Sequence, residues 1–210
     1  MSNDAALKEP FESLDRQRLS AALGMWIFLA SEVLFFGGMF LGMTIYRQIH
    51  PDAIMEAARE TNVLFGSINT ALLLISSVTM VLADKAAEKG LKSAVLAFLA
   101  ATAALGLCFL VLKGFEYRED IHEHLVPGPD FKLHTPAAQL FFGFYWIMTG
   151  VHAVHLTIAI VAVSTYFVRI WRGGFPFEGS AALPVLGLYW HLVDIIWIFL
   201  YPLLYLGGRT

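Results

Sequence analysis

The sequence is poor in the ingredients of a soluble protein. Charged side chains make up 15% of its 210 residues, against roughly 25% in a typical soluble domain. With 58% hydrophobic residues, the chain has too little charge to cover the surface of a soluble core of this size. Cysteine is nearly absent: Cys108 stands alone in an apolar run, which excludes a disulfide framework and a thiolate metal site. There is no Lys/Arg block and the formal net charge is only −3, so nothing points to nucleic acid. Residues 1–20 lack a short apolar core ahead of a small-residue cleavage site and read as a retained tail, not a signal peptide. No glycine-rich phosphate loop appears; Gly173-Gly174 with Pro176 reads as a plain turn. No nucleophile has a base beside it, and no polar region is long enough for a catalytic domain.

What is present is lipid-facing length. Crossing about 30 Å of hydrocarbon takes roughly 20 apolar residues, and five runs qualify: 19–46, 63–83, 91–115, 137–168 and 183–206. Backbone groups in lipid must be satisfied within their own segment, so these runs are helices. The period-2 alternation of a membrane barrel is missing. The expected fold is an all-α, polytopic transmembrane bundle of five spans, with a tail over 1–18 and a single domain over 19–210.

Orientation follows from Lys and Arg. One side holds Lys8, Arg16, Arg18, Lys85, Lys89, Lys92, Arg169 and Arg172; the other holds Arg47, Arg59, Arg118, Lys132 and Arg209. The richer side is expected to be cytoplasmic, with the N-terminus inside and the C-terminus periplasmic. The outer loops collect acids and histidines, notably around 116–136. Small residues suggest where helices approach closely: Gly38 and Gly42 at GxxxG spacing, and an alanine face with Ala97, Ala100, Ala101 and Ala104.

Ionisable residues inside the membrane cost roughly 2.5–3.5 kcal/mol each on insertion scales, so each needs a reason. Glu32 lies about 20 Å into the first run, at 1.5 Å per residue. It is either a proton-accessible, reactive carboxyl or an acid hydrogen-bonded to another helix. His152 and His155 sit three apart on one helical face, and His191 and Asp194 repeat that spacing. Haem or metal ligation, a proton relay and interhelical hydrogen bonding compete. The structural network is the reading adopted, with Asp194 holding His191 in one orientation. Glu116, with Lys113 at i−3, reads as ordinary helix-end pairing worth a few tenths of a kcal/mol. Trp197 lies deep in its run and reads as a packing residue.

Several motifs, in order, then carry a resemblance. Ala30-Ser31-Glu32-Val33-Leu34-Phe35-Phe36-Gly37-Gly38 comes first, followed by Ile68-Asn69-Thr70-Ala71-Leu72-Leu73-Leu74. Glu116-Tyr117 closes the third run, and Thr149-Gly150-Val151-His152-Ala153-Val154-His155 lies in the fourth. The fifth holds Tyr189-Trp190-His191-Leu192-Val193-Asp194-Ile195-Ile196-Trp197. Over nearly all of 23–206 the chain resembles subunit III of the haem-copper respiratory oxidases, in a short bacterial form.

The resemblance implies an accessory subunit of a proton-pumping terminal oxidase in a bacterial cytoplasmic membrane. Such a subunit binds no haem or copper; these lie in subunit I, against which it packs, with subunit II and further subunits nearby. Electrons come from cytochrome c or a quinol. A cleft between helix groups holds phospholipid, and proton uptake is supported. Glu32 matches the family's carbodiimide-reactive glutamate near that cleft. Asn69, Glu116, His152, His155, His191 and Asp194 carry over as a structural polar network. Two departures stand out: the full-length family form has seven spans, and Leu41 stands where the family often has Trp. Rival readings are a five-span companion of nitric oxide reductase, a haem or metal membrane enzyme, and a small transporter using Glu32 as its proton carrier.

Overall fold

A computed structural model describes residues 14–173 and 182–207. Gly174, Pro176, Arg209 and most of the 1–18 tail lie outside the described residues. The described chain is helical: α1 (Leu14–Ile49), α2 (Pro51–Glu60), α3 (Val63–Glu88), α4 (Lys92–His122), α5 (Pro136–Trp171) and α6 (Ala182–Tyr201). A π-helical turn, Pro202–Leu206, continues α6. Five helices, all but α2, are long and apolar enough to cross a membrane. The five expected spans are therefore present, but α1, α3, α4 and α5 overrun their apolar runs, while α6 gives way to the π-helical turn at Pro202. A polar residue at the edge of the hydrocarbon has no reason to stop the backbone ladder. Capping does that: the Asn62 side chain accepts from the Leu64 and Phe65 amides at 3.1 and 3.4 Å, opening α3. Thr135 accepts from the Ala138 amide at 3.4 Å, with Pro136 opening α5. The turn between α3 and α4 is made by Gly90 at φ 69°, a backbone region open to glycine at no steric cost.

The short helix α2 was not expected, because residues 47–62 are too polar and too brief to count as a span. It is amphipathic, burying Ile54, Ala57 and Ala58, at the i, i+3, i+4 spacing of one helix face. That face packs on α5 and the terminal turn.

Helices α3 and α4 form an antiparallel hairpin, and α5 and α6 complete a four-helix bundle with it. Helix α1 leans on α5 and α6 from outside. It buries Leu29, Phe36 and Met43, one residue per seven, and this stripe sets which α1 side chains face the bundle. Glu32, three residues past Leu29, falls on the stripe. Gly38, two residues past Phe36, is turned about 200° away.

The glycine spacing in α1 therefore makes no close approach within the chain. A Cβ at Gly38 would meet nothing within 4 Å, and one at Gly42 only the Phe144 ring at 3.6 Å. The close contacts are elsewhere: a Cβ at Gly106 would lie 2.9 Å from Trp190, and one at Gly66 2.8 Å from Tyr201. Likewise Ala97, Ala100 and Ala104 are exposed. The inward stripe of α4 is Val95, Leu99, Thr102, Gly106, Phe109, Lys113, Glu116 and Asp120, an unbroken alternation of four- and three-residue steps.

Candidate functional site

Between α1, α5 and α6 runs an open cleft of about 730 Å³. Its walls are mostly apolar, with Phe28 and Ile158 among them, and its polar groups are few: Glu32, His155, Thr165, Arg169, Tyr166 and Tyr189. Glu32 from α1 meets His155 from α5, Oε2 to Nε2 at 3.0 Å, both side chains about one-sixth exposed, at 16% and 17%. The other ring nitrogen, Nδ1, lies 2.9 Å from the Val151 carbonyl. A carbonyl only accepts, so Nδ1 carries a hydrogen. Nε2 and the carboxyl therefore share one further proton, either as imidazolium with carboxylate or as neutral imidazole with carboxylic acid. The Tyr189 hydroxyl donates to the His155 carbonyl at 3.2 Å, and Phe36 packs edge-on against the ring, centroids 5.4 Å apart. Of the two readings left open for Glu32, the hydrogen-bonded partner exists, and it stands in a cleft.

The remaining polar residues do not form a single network. His191 is held by Ser77 of α3, Nδ1 to Oγ at 2.8 Å, and not by Asp194 as expected. Both face α3 from one stripe of α6, one turn apart, so Ser77 reaches the imidazole before the neighbouring turn can. Asp194 is 3% exposed and lies beside the same Ser77 side chain. His152, fully buried, is packed between Phe109 and Trp197, at centroid distances of 5.6 and 5.1 Å, with both ring nitrogens unpartnered. Asn69 is also buried without a hydrogen bond. His152 and His155, neighbours on α5, thus turn to different helices. No group of three or more His, Cys, Asp or Glu placed to hold a metal occurs among the described residues.

The Lys113–Glu116 pair is not ordinary helix-end chemistry. Helix α4 continues to His122, so the pair sits inside it. The two charged groups are 3.1 Å apart and only 3% and 1% exposed. The Lys113 ammonium donates to the Tyr145 and Tyr205 hydroxyls at 2.9 and 2.6 Å, and lies 4.5 Å from the Tyr145 ring centroid and 4.9 Å from that of Tyr117. Asp120, 5% exposed, joins through Tyr145 at 2.8 Å. Breaking such a buried pair by removing one partner costs several kcal/mol, because the other charge is left uncompensated. Asp120, Tyr145, Tyr205 and Ser77 were not read as members of a buried site, and Lys113 was read only as a helix-end partner. Their signal was there: Lys113, Glu116 and Asp120 extend the inward stripe of α4 without a missed step.

At the loop end, Lys132 bridges Glu60 at 2.6 Å and Glu123 at 3.5 Å. The hydrogen bond it donates to Glu60 holds this ammonium above its ordinary value of 10.5. The Trp146 indole donates to the Leu125 carbonyl at 3.2 Å, tying the loop to α5.

Known proteins place this architecture. A subunit 3 of cytochrome bo(3) ubiquinol oxidase from Pseudomonas aeruginosa is 27% identical over 90% of this chain and 86% of its own length. A cytochrome c oxidase subunit 3 from Alkalihalophilus pseudofirmus is 32% identical over 89% of this chain and 86% of its own. A quinol oxidase subunit 3 from Bacillus subtilis is 29% identical over 89% and 86%. The sequence profile of the family Cytochrome c oxidase subunit III matches residues 15–209. The chain belongs to that family. As a subunit III protein it is a multi-pass membrane protein, and the motifs around Glu32, Asn69, Glu116, His152 and His191 all fall within the matched residues. Its relatives include both cytochrome c and quinol oxidase subunits at similar identity.

Proposed function

We propose that this chain is the non-redox accessory subunit of a proton-pumping haem-copper terminal oxidase that reduces oxygen to water in a bacterial cytoplasmic membrane. It carries no catalytic centre; haem and copper reside in subunit I, its main partner, with subunit II and other subunits in the same complex. Its N-terminus is cytoplasmic and its C-terminus periplasmic, from the Lys/Arg bias.

The observation that carries the reading is the Glu32–His155 pair on the wall of the α1/α5/α6 cleft. Arg169 lines the same cleft, fourteen residues beyond His155 on α5, or about 21 Å along the helix axis. A phospholipid fits that layout, its phosphate at Arg169 and an acyl tail running toward the Glu32 level. Arg is well suited to a phosphate. The lipid keeps the pair away from bulk solvent, while the shared proton keeps it neutral overall. Glu32 then supports proton uptake by the neighbouring subunit, and the other buried polar residues hold the helices in place.

The test is purification of the complex in mild detergent, with lipid counted by mass spectrometry and turnover followed over time. Glu32→Gln is expected to co-purify with haem- and copper-bearing subunit I and to lose activity during sustained turnover. Arg169→Gln is expected to lose bound phospholipid. Retention of full lipid and unaltered turnover in both variants would remove the cleft from the function, and failure to co-purify with subunit I in the unaltered chain would remove the subunit reading.

A further inference from the structure

With Lys113 an ammonium and both acids ionised, the hydrogen atoms of the buried cluster at the α4–α5 interface fall one short of its oxygen–oxygen contacts. Three oxygen–oxygen contacts lie at hydrogen-bond distance. Tyr145 Oη is 2.9 Å from Glu116 Oε1 and 2.8 Å from Asp120 Oδ2. Tyr205 Oη is 2.7 Å from Glu116 Oε1. Each contact needs a hydrogen between its oxygens, yet the two phenols supply one each. Lys113 could supply the third only by giving up its ammonium charge; as an ammonium it donates to Tyr145 at 2.9 Å and Tyr205 at 2.6 Å, and lies 3.1 Å from Glu116 Oε2, which accepts no hydrogen bond.

Charge gives the same answer independently. Two carboxylates against one ammonium leave an unbalanced negative charge among side chains that are 5% exposed or less, and isolated charges are not tolerated in such surroundings. The other groups facing the cluster do not offset it. Tyr117 spends its hydroxyl on Thr149 at 2.7 Å, Trp197 and the unpartnered His152 lie on its inner side, and Glu123, one turn beyond Asp120, is paired with Lys132.

We propose that Glu116, Asp120 and Tyr145 form a proton-binding site beside the Lys113 ammonium, holding one proton shared between the two carboxyl groups. One arrangement satisfies every contact. Asp120 is the acid and its Oδ2–H donates to Tyr145, while Tyr145 and Tyr205 both donate to Glu116 Oε1. Glu116 remains the counter-ion of Lys113. The proton can transfer through the phenol: the Asp120 hydrogen moves to Tyr145 Oη as the Tyr145 hydrogen moves to Glu116 Oε1. This leaves an Asp120 carboxylate, a neutral phenol and a Glu116 acid, with no net change of charge. The site stands whatever complex the chain joins.

Infrared spectroscopy of the full chain in its membrane complex, in H2O and D2O, reads the protonated carboxyl directly through its carbonyl stretch. Asp120→Asn keeps an N–H donor toward Tyr145 and leaves Lys113 balanced by Glu116, so one carboxylic-acid band is expected to disappear. Lys113→Gln removes the ammonium, so both acids must be neutral and one band is expected to appear. The variants decide separately, so failure of either to assemble leaves the other as the test. Unchanged carboxylic-acid absorption in an assembled Asp120→Asn or Lys113→Gln complex would overturn the proposal.

Discussion

Two intramembrane acid–base pairs among the described residues use similar chemistry in opposite settings. Glu32 and His155 bridge the loosely attached α1 to the bundle, and face an open cleft with about one-sixth of each side chain exposed. Lys113 and Glu116 lie on one helix inside the bundle, almost fully buried, and are enclosed by Tyr117, Tyr145, Trp197 and Tyr205. The difference is one of dielectric and access. A partly exposed pair at a cleft can be reached from outside the bundle, and a partner left alone there can find relief. A pair sealed by aromatic rings has no such relief, and its loss falls on the stability of the fold.

Substitutions can break this comparison. The largest effect is expected for Glu116→Ala or Lys113→Ala, each breaking the buried ion pair and forcing the remaining acid groups to change protonation, at a cost of about 3–5 kcal/mol; thermal unfolding in detergent, or the assembled fraction, reports it. A smaller loss, roughly 1–3 kcal/mol, is expected for Tyr145→Phe, which strands polar groups in the interior, measured the same way. Gly106→Ala should cost a similar roughly 1–3 kcal/mol by overpacking against Trp190, whereas Gly38→Ala should leave the isolated chain unaffected. Equal effects at the two glycines would contradict the assignment of close packing to the four-helix bundle.

Glu32→Gln is expected to cost less than about 1 kcal/mol, because the amide keeps a hydrogen bond to His155. A large loss of stability there would erase the distinction between the two pairs. The smallest effect belongs to the loop. Lys132 has a raised value in the folded chain, so its contribution is full below its ordinary 10.5 and is lost as pH rises through the higher folded value. Since the Lys132 side chain is 43% exposed, screening limits Lys132→Met to about 0.2–1 kcal/mol at neutral pH. That deficit should vanish in strongly alkaline solution, as seen by unfolding wild type and variant side by side.

Much of the site was legible residue by residue. Glu32 was flagged because a short acid in mid-membrane cannot reach water, and the structure gives it a partner on another helix. His155 was flagged too, but its pairing with Glu32 was not, since no spacing rule links residues on α1 and α5. Asp194 was assigned to His191 on spacing alone; Ser77 of α3 claims that imidazole instead. Lys113 was read as a terminal residue because the apolar run stops near 115, while the helix does not stop until His122.

By itself the sequence determined five membrane-crossing helices, because lipid leaves the backbone no other way to satisfy its hydrogen bonds. It also determined which helices carry ionisable groups. Only the tertiary structure decided which acid met which base, that α2 folds onto α5, and that close packing falls at Gly66 and Gly106. Those outcomes depend on side chains far apart in the chain being brought within a few ångströms, and helical periodicity carries no information about which faces of different helices meet.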